Sequence, residues 1–384
     1  MSRPRTLGIN RLPDLEVSAG REPWLDVLRG FAVAGMIVVN NPGSWDHVYR
    51  PLVHAPWHGW TAADLIFPLF LFIVGVSLSF AFSQGEWRNR CLCSKVLRRT
   101  IVLYALGVLI TAFPSFDLST IRLTGVLQRI AACYLLGVVI LLALPRPMQT
   151  LVFIAGLLVA YYLMLILISV PECALGPLSR ECNVAGYIDR MVLGRHVGAE
   201  THDPEGLLTT IPALATTLCG LVAGQWLRAR RCDRNKLLVL VAAGGCCVTA
   251  GVMGDAWFPI NKTLWTSTYV LLTAGTSCLA LALCYAVIKN IEIWALPFQV
   301  LGVNALAAFV SSELLARTMA VQHWWNLPDV DGKAGVDLRT FLYERLFMPL
   351  AFPELGSSLW TVAYLALIVG MMAAVYGLRA RTRF

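Results

Sequence analysis

Ten mostly apolar stretches, each long enough to cross a hydrocarbon layer, constrain this chain more than anything else in it: 24–41, 62–83, 97–114, 122–145, 148–170, 207–228, 236–254, 264–288, 297–316 and 358–379. About 20 helical residues span a bilayer. In lipid, backbone N–H and C=O groups have no water to bond, so a spanning segment must be a helix or part of a closed barrel. The expected fold is all-α: a polytopic membrane bundle of about ten transmembrane helices. A shorter stretch, 338–352, mixes Leu338, Phe341, Leu342, Leu346 and Phe347 with Arg339, Glu344 and Arg345, and is expected to lie as a helix at the interface.

Composition enters where charge needs explaining. Of 384 residues, 57% are hydrophobic and 14% charged, against roughly 25% charged in soluble domains. The formal net charge is +8. In a membrane chain this reads as the bias of Lys and Arg toward cytoplasmic loops. Nucleic acid is excluded as a partner, because the basic residues are scattered over loops and interleave with no aromatic patch; membrane lipid is the expected surroundings. Residues 1–23 are polar and basic with no apolar core, so they read as a cytoplasmic leader rather than a cleaved signal, ahead of one membrane domain over 24–384. With ten spans, the basic segments around Arg5, Arg98, Arg231 and Arg381 fall on one side, which places both termini in the cytoplasm.

Of 11 cysteines, Cys173 and Cys182 fall in an extracytoplasmic loop. They are either two free thiols or a disulfide, and the oxidising compartment favours the bridge. No Cys/His spacing suggests a metal.

Charge inside a span is expensive and tends to be functional. Asp26 and Arg29 lie one turn apart on the first span and read as an intrahelical ion pair or as functional charges. Asn40 ends that span. Asp64 opens the second after Thr61, either as a carboxylate favoured by the helix dipole or as a site residue. Arg129 lies about 10 Å inside the fourth, and there it needs a polar cavity or a carboxylate. Asn304 and Glu313 lie in the ninth. Loops add His202, Asp203 and Glu205 in THDPEG, and Asn261, Lys262 and Trp265 in INKTLWTSTYV. Under the ten-span topology Asn40, His54, Asp64, Arg129, Glu205, Asn261, Lys262 and Glu313 face one side, as a polar funnel in an apolar bundle. Solvated helix ends would explain Glu205 and Lys262, but not Arg129 or Asn304. In HAPWHG, His54 and His58 compete for the role of general base, since imidazole exchanges protons near neutrality. G-x-S-x-G, P-loop and HExxH patterns are lacking.

Seven motifs in order carry a resemblance: LDVLRGFAVAGMIVVNN, HAPWHGWTAADLIFPLFLFIVG, IRLTGVLQRIAACY, NVAGYIDRMVLG, DPEGLLTTIPALATTLCGLVAG, NKTLWTSTYVL and GVNALAAFVSSEL. Over residues 24 to 378 the chain resembles the heparan-α-glucosaminide N-acetyltransferase family, a group of transmembrane acyltransferases, and within it the short bacterial members. The resemblance implies that acetyl from cytoplasmic acetyl-CoA crosses the bundle to the amine of a glucosamine on the far side. It implies a bacterial inner-membrane protein, and a homodimer is expected from it. The family's active histidine falls on His54, since its H-A-x-W-x-G pattern leaves His58 at a variable place. The asparagine ending the first helix maps onto Asn40 and the aspartate opening the second onto Asp64.

Making an amide from a thioester needs a neutral amine, hence a base, and donors for the developing oxyanion, for which Asn40 is a candidate. Asp64 would orient His54 or hold a sugar hydroxyl. His54 acts as base or as transient acetyl carrier; the residues leave both open. Arg129, Glu205, Asn261, Lys262, Trp265 and Glu313 are the candidate substrate-binding residues. For the phosphates of CoA the candidates are Arg98, Arg99, Arg228, Arg231 and Lys236, which serve equally as topology-setting charge. No metal is expected. The acceptor is free glucosamine, a glucosamine-ended oligosaccharide or a cell-wall sugar. Two other readings stand beside this one: a polysaccharide O-acetyltransferase, and an amino-sugar transporter. A transporter would show inverted repeats and broken midplane helices, and the sequence shows neither.

Overall fold

A chain segment deprived of water bonds its own backbone, and the apolar stretches do this by coiling. The computed structural model describes residues 22–82, 90–171, 173, 175–199, 201–229, 231–288, 293–321, 325, 327–328, 334–350 and 352–381. The leader expected over 1–23 lies outside them except for its last two residues. The helices are α1 (Pro23–Asn40), α2 (Ala62–Ala81), α3 (Arg90–Ala112), α4 (Val126–Ala143), α5 (Pro147–Leu167), α6 (Val184–Leu193), α7 (Thr210–Arg228), α8 (Asp233–Gly254), α9 (Ser267–Val287), α10 (Leu296–Val303), α11 (Ala305–Ala320), α12 (Leu338–Leu342) and α13 (Pro353–Arg381). A small antiparallel pair, β1 (Leu327–Pro328) and β2 (Ala334–Val336), precedes α12.

All ten apolar stretches are helical, and the protein is a multi-pass membrane bundle. Among the described residues, eight helices are long and apolar enough to cross a membrane, nine if α10 and α11 count as one span. α3 carries Arg90, Lys95, Arg98 and Arg99 in its first half and is apolar beyond. The stretch 338–352 is helical in α12, continued by wider and tighter turns over Tyr343–Phe347 and Met348–Leu350.

The structure corrects the sequence at two places. Residues 297–316 are not one straight span: α10 and α11 meet at Asn304 with a bend of 79°. The Asn304 backbone N–H and its side-chain Nδ2 both donate to the Val300 carbonyl, at 3.3 and 3.0 Å, and such a side chain competes with the helix ladder. The segment 171–206, read as loop, contains α6. Asn183 caps it by accepting the Gly186 N–H at 2.7 Å.

α2 and α7 form the centre, with Leu71, Phe72, Val76, Leu218 and Leu221 fully buried. Glycine allows the approach: a Cβ on Gly75 would lie 1.8 Å from the Thr217 carbonyl oxygen, and one on Gly220 1.9 Å from that of Phe72. α1 and α10 touch in the same way, where a Cβ on Gly30 would meet Phe298 O at 1.7 Å and one on Gly302 would meet Asp26 O at 1.7 Å. α5, α8 and α13 expose most of their apolar surface and form the lipid-facing periphery.

Candidate functional site

The segment between α1 and α2 carries the HAPWHG motif, and nearly every residue in it is fastened. His54 Nδ1 lies 2.8 Å from Asp64 Oδ1. Asp64 Oδ2 accepts the N–H of Ala55 at 3.1 Å, the N–H of Thr61 at 3.0 Å and the Thr61 hydroxyl at 3.2 Å. The Pro56 carbonyl accepts Arg180 Nη2 at 3.3 Å, and Trp57 Nε1 donates to Leu178 O at 2.9 Å. His58 Nδ1 is 3.4 Å from Asn261 Nδ2, and Gly59 N–H donates to Ile260 O at 2.8 Å. Both readings of Asp64 hold together: it ties down the start of α2 and it holds the histidine.

Asp64 is fully buried, whereas the His54 side chain is 42% exposed. An ionised carboxylate only accepts hydrogen bonds, so Nδ1 carries the ring proton and Nε2 keeps its lone pair. The Tyr269 hydroxyl donates to the Asp64 backbone carbonyl at 2.5 Å and fixes the turn from behind. His58 is also exposed, and burial of its ring nevertheless outweighs Asp255 and lowers its pKa below the ordinary histidine value.

The segment between α8 and α9 delivers Lys262. Its Nζ lies 3.3 Å from Asp64 Oδ1, 3.0 Å from His54 Nδ1 and 3.2 Å from His54 Nε2. Burial lowers the Lys262 pKa, and Asp64 and Glu205 oppose this without cancelling it. Asn261 shapes this turn: its Oδ1 accepts the Leu264 N–H at 2.8 Å, its N–H donates to Thr266 Oγ1 at 3.0 Å, and it is fully buried. Trp265 is equally buried, in the left-handed region at φ 50, with Nε1 donating to Thr216 Oγ1 at 3.2 Å.

Arg129, 2% exposed, lies with its guanidinium carbon 4.9 Å from the Trp265 ring centre. Its Nη2 donates to Thr209 Oγ1 and to Gly206 O, while Nε and Nη1 have no hydrogen-bond partner among the described residues. Of the two surroundings expected, a polar cavity or a carboxylate, no carboxylate among the described residues lies at hydrogen-bond distance; an aromatic face and a hydroxyl stand there. Glu205 pairs instead with Arg122, at 2.5 Å. Arg122 also grips Asp203 through Nη2 at 2.5 Å and Nε at 3.1 Å. Burial would raise the Asp203 pKa, but Arg122 and Thr124 outweigh it and hold the carboxyl below its usual range. Behind this clamp Asp189, 1% exposed, accepts the Leu207 N–H with Oδ1 while Oδ2 has no partner, and burial pushes its carboxyl up to about 6.

The structure therefore gathers His54, Asp64, Lys262, Asn261, Trp265, Arg129 and Glu205 at one end of the bundle. Asn40 has a partner of its own: its Nδ2 donates to Glu313 Oε1 at 3.2 Å, and no hydrogen bond among the described residues joins this pair to His54, Asp64 or Lys262. Sequence reading noted Arg29, Thr61 and Arg122 as polar residues at the span ends without giving them a place in the site, and missed Asp189 and Tyr269 altogether. An arginine ahead of an apolar stretch was the available signal for Arg122; a tyrosine inside an apolar helix gave none for Tyr269.

The opposite end is basic. A cavity of about 350 Å³ runs between α1, α2, α3, α4, α10 and α11, from Arg29, Ala81 and Arg99 to Val126, Leu127 and Met36. Arg29 pairs with Asp26 at 2.7 Å, as the spacing suggested, and donates to Ser77 Oγ at 2.9 Å. Arg99 lies over the Tyr134 ring at 4.8 Å. The other basic candidates have local work. Arg228 donates to the end carbonyls Ser79 O and Phe82 O, Arg231 covers Trp226 at 4.4 Å, and Lys236 sits 3.9 Å from Asp233. Arg98 is exposed on α3.

Comparison with known proteins follows this geometry. A family model described as "Heparan-alpha-glucosaminide N-acetyltransferase, catalytic" matches residues 21–260, which include His54, Asp64, Arg129 and Glu205 and stop short of Lys262. A protein of Mus musculus named heparan-alpha-glucosaminide N-acetyltransferase is 28% identical over 396 residues, covering 87% of this chain and 59% of its own length. The Homo sapiens protein of the same name is 27% identical over 389 residues, covering 85% and 57%. The chain thus spans less than two thirds of each relative.

Proposed function

Since the chain belongs to the heparan-α-glucosaminide N-acetyltransferase family, we propose that it transfers acetyl from acetyl-CoA to the primary amine of glucosamine or of a terminal glucosaminide, with His54 as the general base. The observation that carries this reading is the His54–Asp64 pair: a buried carboxylate fixes Nδ1 and turns Nε2, on an exposed ring, toward Lys262 Nζ and the acceptor side. In the proposed step Nε2 takes a proton from the acceptor amine, the amine nitrogen attacks the thioester carbonyl, and the thiol leaves. Direct transfer fits an exposed ring that an acceptor reaches from outside. The Asn40–Glu313 contact makes Asn40 a weaker choice of oxyanion donor than its place in the sequence suggested.

For the donor, the cavity offers what a CoA arm needs. Its volume of about 350 Å³ falls within the range of small-molecule sites, about 300–1,000 Å³. Arg29 and Arg99 stand at its basic end for phosphate, and apolar walls suit the pantetheine chain. We assign donor entry to this end, which is the cytoplasmic one by the bias of basic loops, and acceptor entry to the His54 end.

The bend at Asn304 is the one feature that favours a transporter, where broken spans are common. The two readings separate in one experiment. The detergent-purified protein is given acetyl-CoA and glucosamine, and free CoA is followed. Wild type and His58→Ala are expected to release CoA with formation of N-acetylglucosamine, and His54→Ala to stay at background. Equal release by wild type and His54→Ala overturns the mechanism. Sugar uptake into sealed proteoliposomes without acetyl-CoA favours the transporter.

A further inference from the structure

Lys262 places a primary amine where the proposed reaction needs one. Its Nζ is 3.2 Å from His54 Nε2, the ring nitrogen that Asp64 does not hold, 3.0 Å from Nδ1, and 3.3 Å from the carboxylate of Asp64. An amine within hydrogen-bond reach of the base is the arrangement an acceptor must adopt before it can lose a proton. We propose that Lys262 is an internal acceptor, acetylated on Nζ when an acetyl donor reaches His54 and no sugar amine is present. The inference rests on the acetyltransferase reading given above.

The step balances without any further reactant. The Lys262 ammonium gives one proton to His54 Nε2, which passes it to water. The neutral amine attacks the thioester carbonyl, a C–N bond forms and the C–S bond breaks. A second proton leaves the nitrogen and ends on the CoA thiolate. The products are Nε-acetyl-lysine, CoA thiol and one proton in solution. Burial, which lowers the Lys262 pKa, enlarges the neutral fraction on which the attack depends.

The consequence is self-limitation by an empty acceptor site. Acetylation removes the cation facing Asp64 and leaves an amide in the acceptor's place. A sugar amine bound beside His54 displaces Lys262 and protects it. The chain supplies its own controls: Lys95 and Lys236 belong to the basic half of the bundle, with Lys95 exposed and Lys236 beside Asp233. Among the described residues no histidine forms a hydrogen bond with either.

The test is incubation of the detergent-purified wild type with acetyl-CoA alone, followed by proteolysis and mass spectrometry of the peptide containing Lys262. The expected result is one acetyl group on Lys262, slowed at least tenfold by saturating glucosamine and absent in His54→Ala, with Lys95 and Lys236 unmodified. Remaining transferase activity should fall in step with Lys262 occupancy. A wild type that acetylates glucosamine yet leaves Lys262 unmodified overturns the proposal and leaves the acetyltransferase reading standing. So does modification of Lys262 at the same rate in His54→Ala, or at the same rate as Lys95. A wild type that acetylates neither glucosamine nor Lys262 overturns both.

Discussion

Asp64, with no exposed surface, holds Nδ1 of the half-exposed His54 ring at 2.8 Å. One carboxylate thereby fixes the imidazole, fastens Ala55 and Thr61, and opens α2. Asp64→Asn keeps the shape but replaces an acceptor-only group with an amide. The expected loss of kcat is on the order of 10²–10⁴-fold, with a stability cost of about 1–3 kcal/mol where an amide NH2 replaces one of two buried acceptor oxygens. Steady-state CoA release and thermal unfolding in detergent check the two separately.

Two acids outside the spans give opposite pH signatures. Asp203 has its carboxyl held below the usual range against its own burial, chiefly by Arg122, so its contribution is present above the ordinary carboxylate pKa and is lost as pH falls through the folded value. Asp189 is pushed up to about 6 by burial, so its contribution is full below the unfolded value near 4 and is lost as pH rises through about 6. Asp189→Asn keeps an acceptor for the Leu207 N–H and cannot ionise. Its Tm is expected to exceed that of wild type by a few degrees above pH 6, the difference shrinking to nothing near pH 4. A difference independent of pH would contradict the assignment.

The loop between Cys173 and Cys182, joined as a disulfide, supplies Leu178 and Arg180 to the HAPWHG segment. Closing so short a loop stabilises by about 3 kcal/mol in the chain-entropy account. The double variant Cys173→Ser, Cys182→Ser should therefore lower Tm, and hydrogen exchange should rise in residues 54–61 while the α2 and α7 cores keep their protection. Unchanged exchange over 54–61 would show that the fastening does not depend on the bridge.

If the cavity takes the donor, filling it acts on one substrate alone. Val74 lines it, and Val74→Trp should raise KM for acetyl-CoA at least tenfold while leaving KM for glucosamine within about twofold. A parallel rise in both constants would argue for a general distortion instead. The tenfold figure corresponds to about 1.4 kcal/mol of lost binding.

The helices were legible because apolar length is a local property, and His54 and Asp64 because one short motif carries both. What escaped reading was set by distance along the chain. Lys262 and His54 were both candidates on one face, but their direct contact spans 208 positions, and nothing near either residue announces it. Asn261 and Trp265 look like ligands in sequence, since both are polar-capable groups at a helix mouth; they are buried in the turn that aims Lys262. Arg228 reads as a free cation and is occupied by the end of α2. The break at Asn304 was hidden because a hydropathy window averages over a single polar residue.

Gly30 and Gly302 bring the backbones of α1 and α10 into direct van der Waals contact, and α11 leaves this seam at 79°. The half-helix before the bend thus meets the first span backbone to backbone at these glycines, with the Phe31 and Phe298 rings packed beside them, 6.0 Å between centres. The bend at Asn304 means that the two halves of the ninth span do not form one rod. A methyl group on either glycine would act as a wedge, forcing the seam apart along its length and shifting Arg29, the side chain that roofs the basic mouth of the cavity.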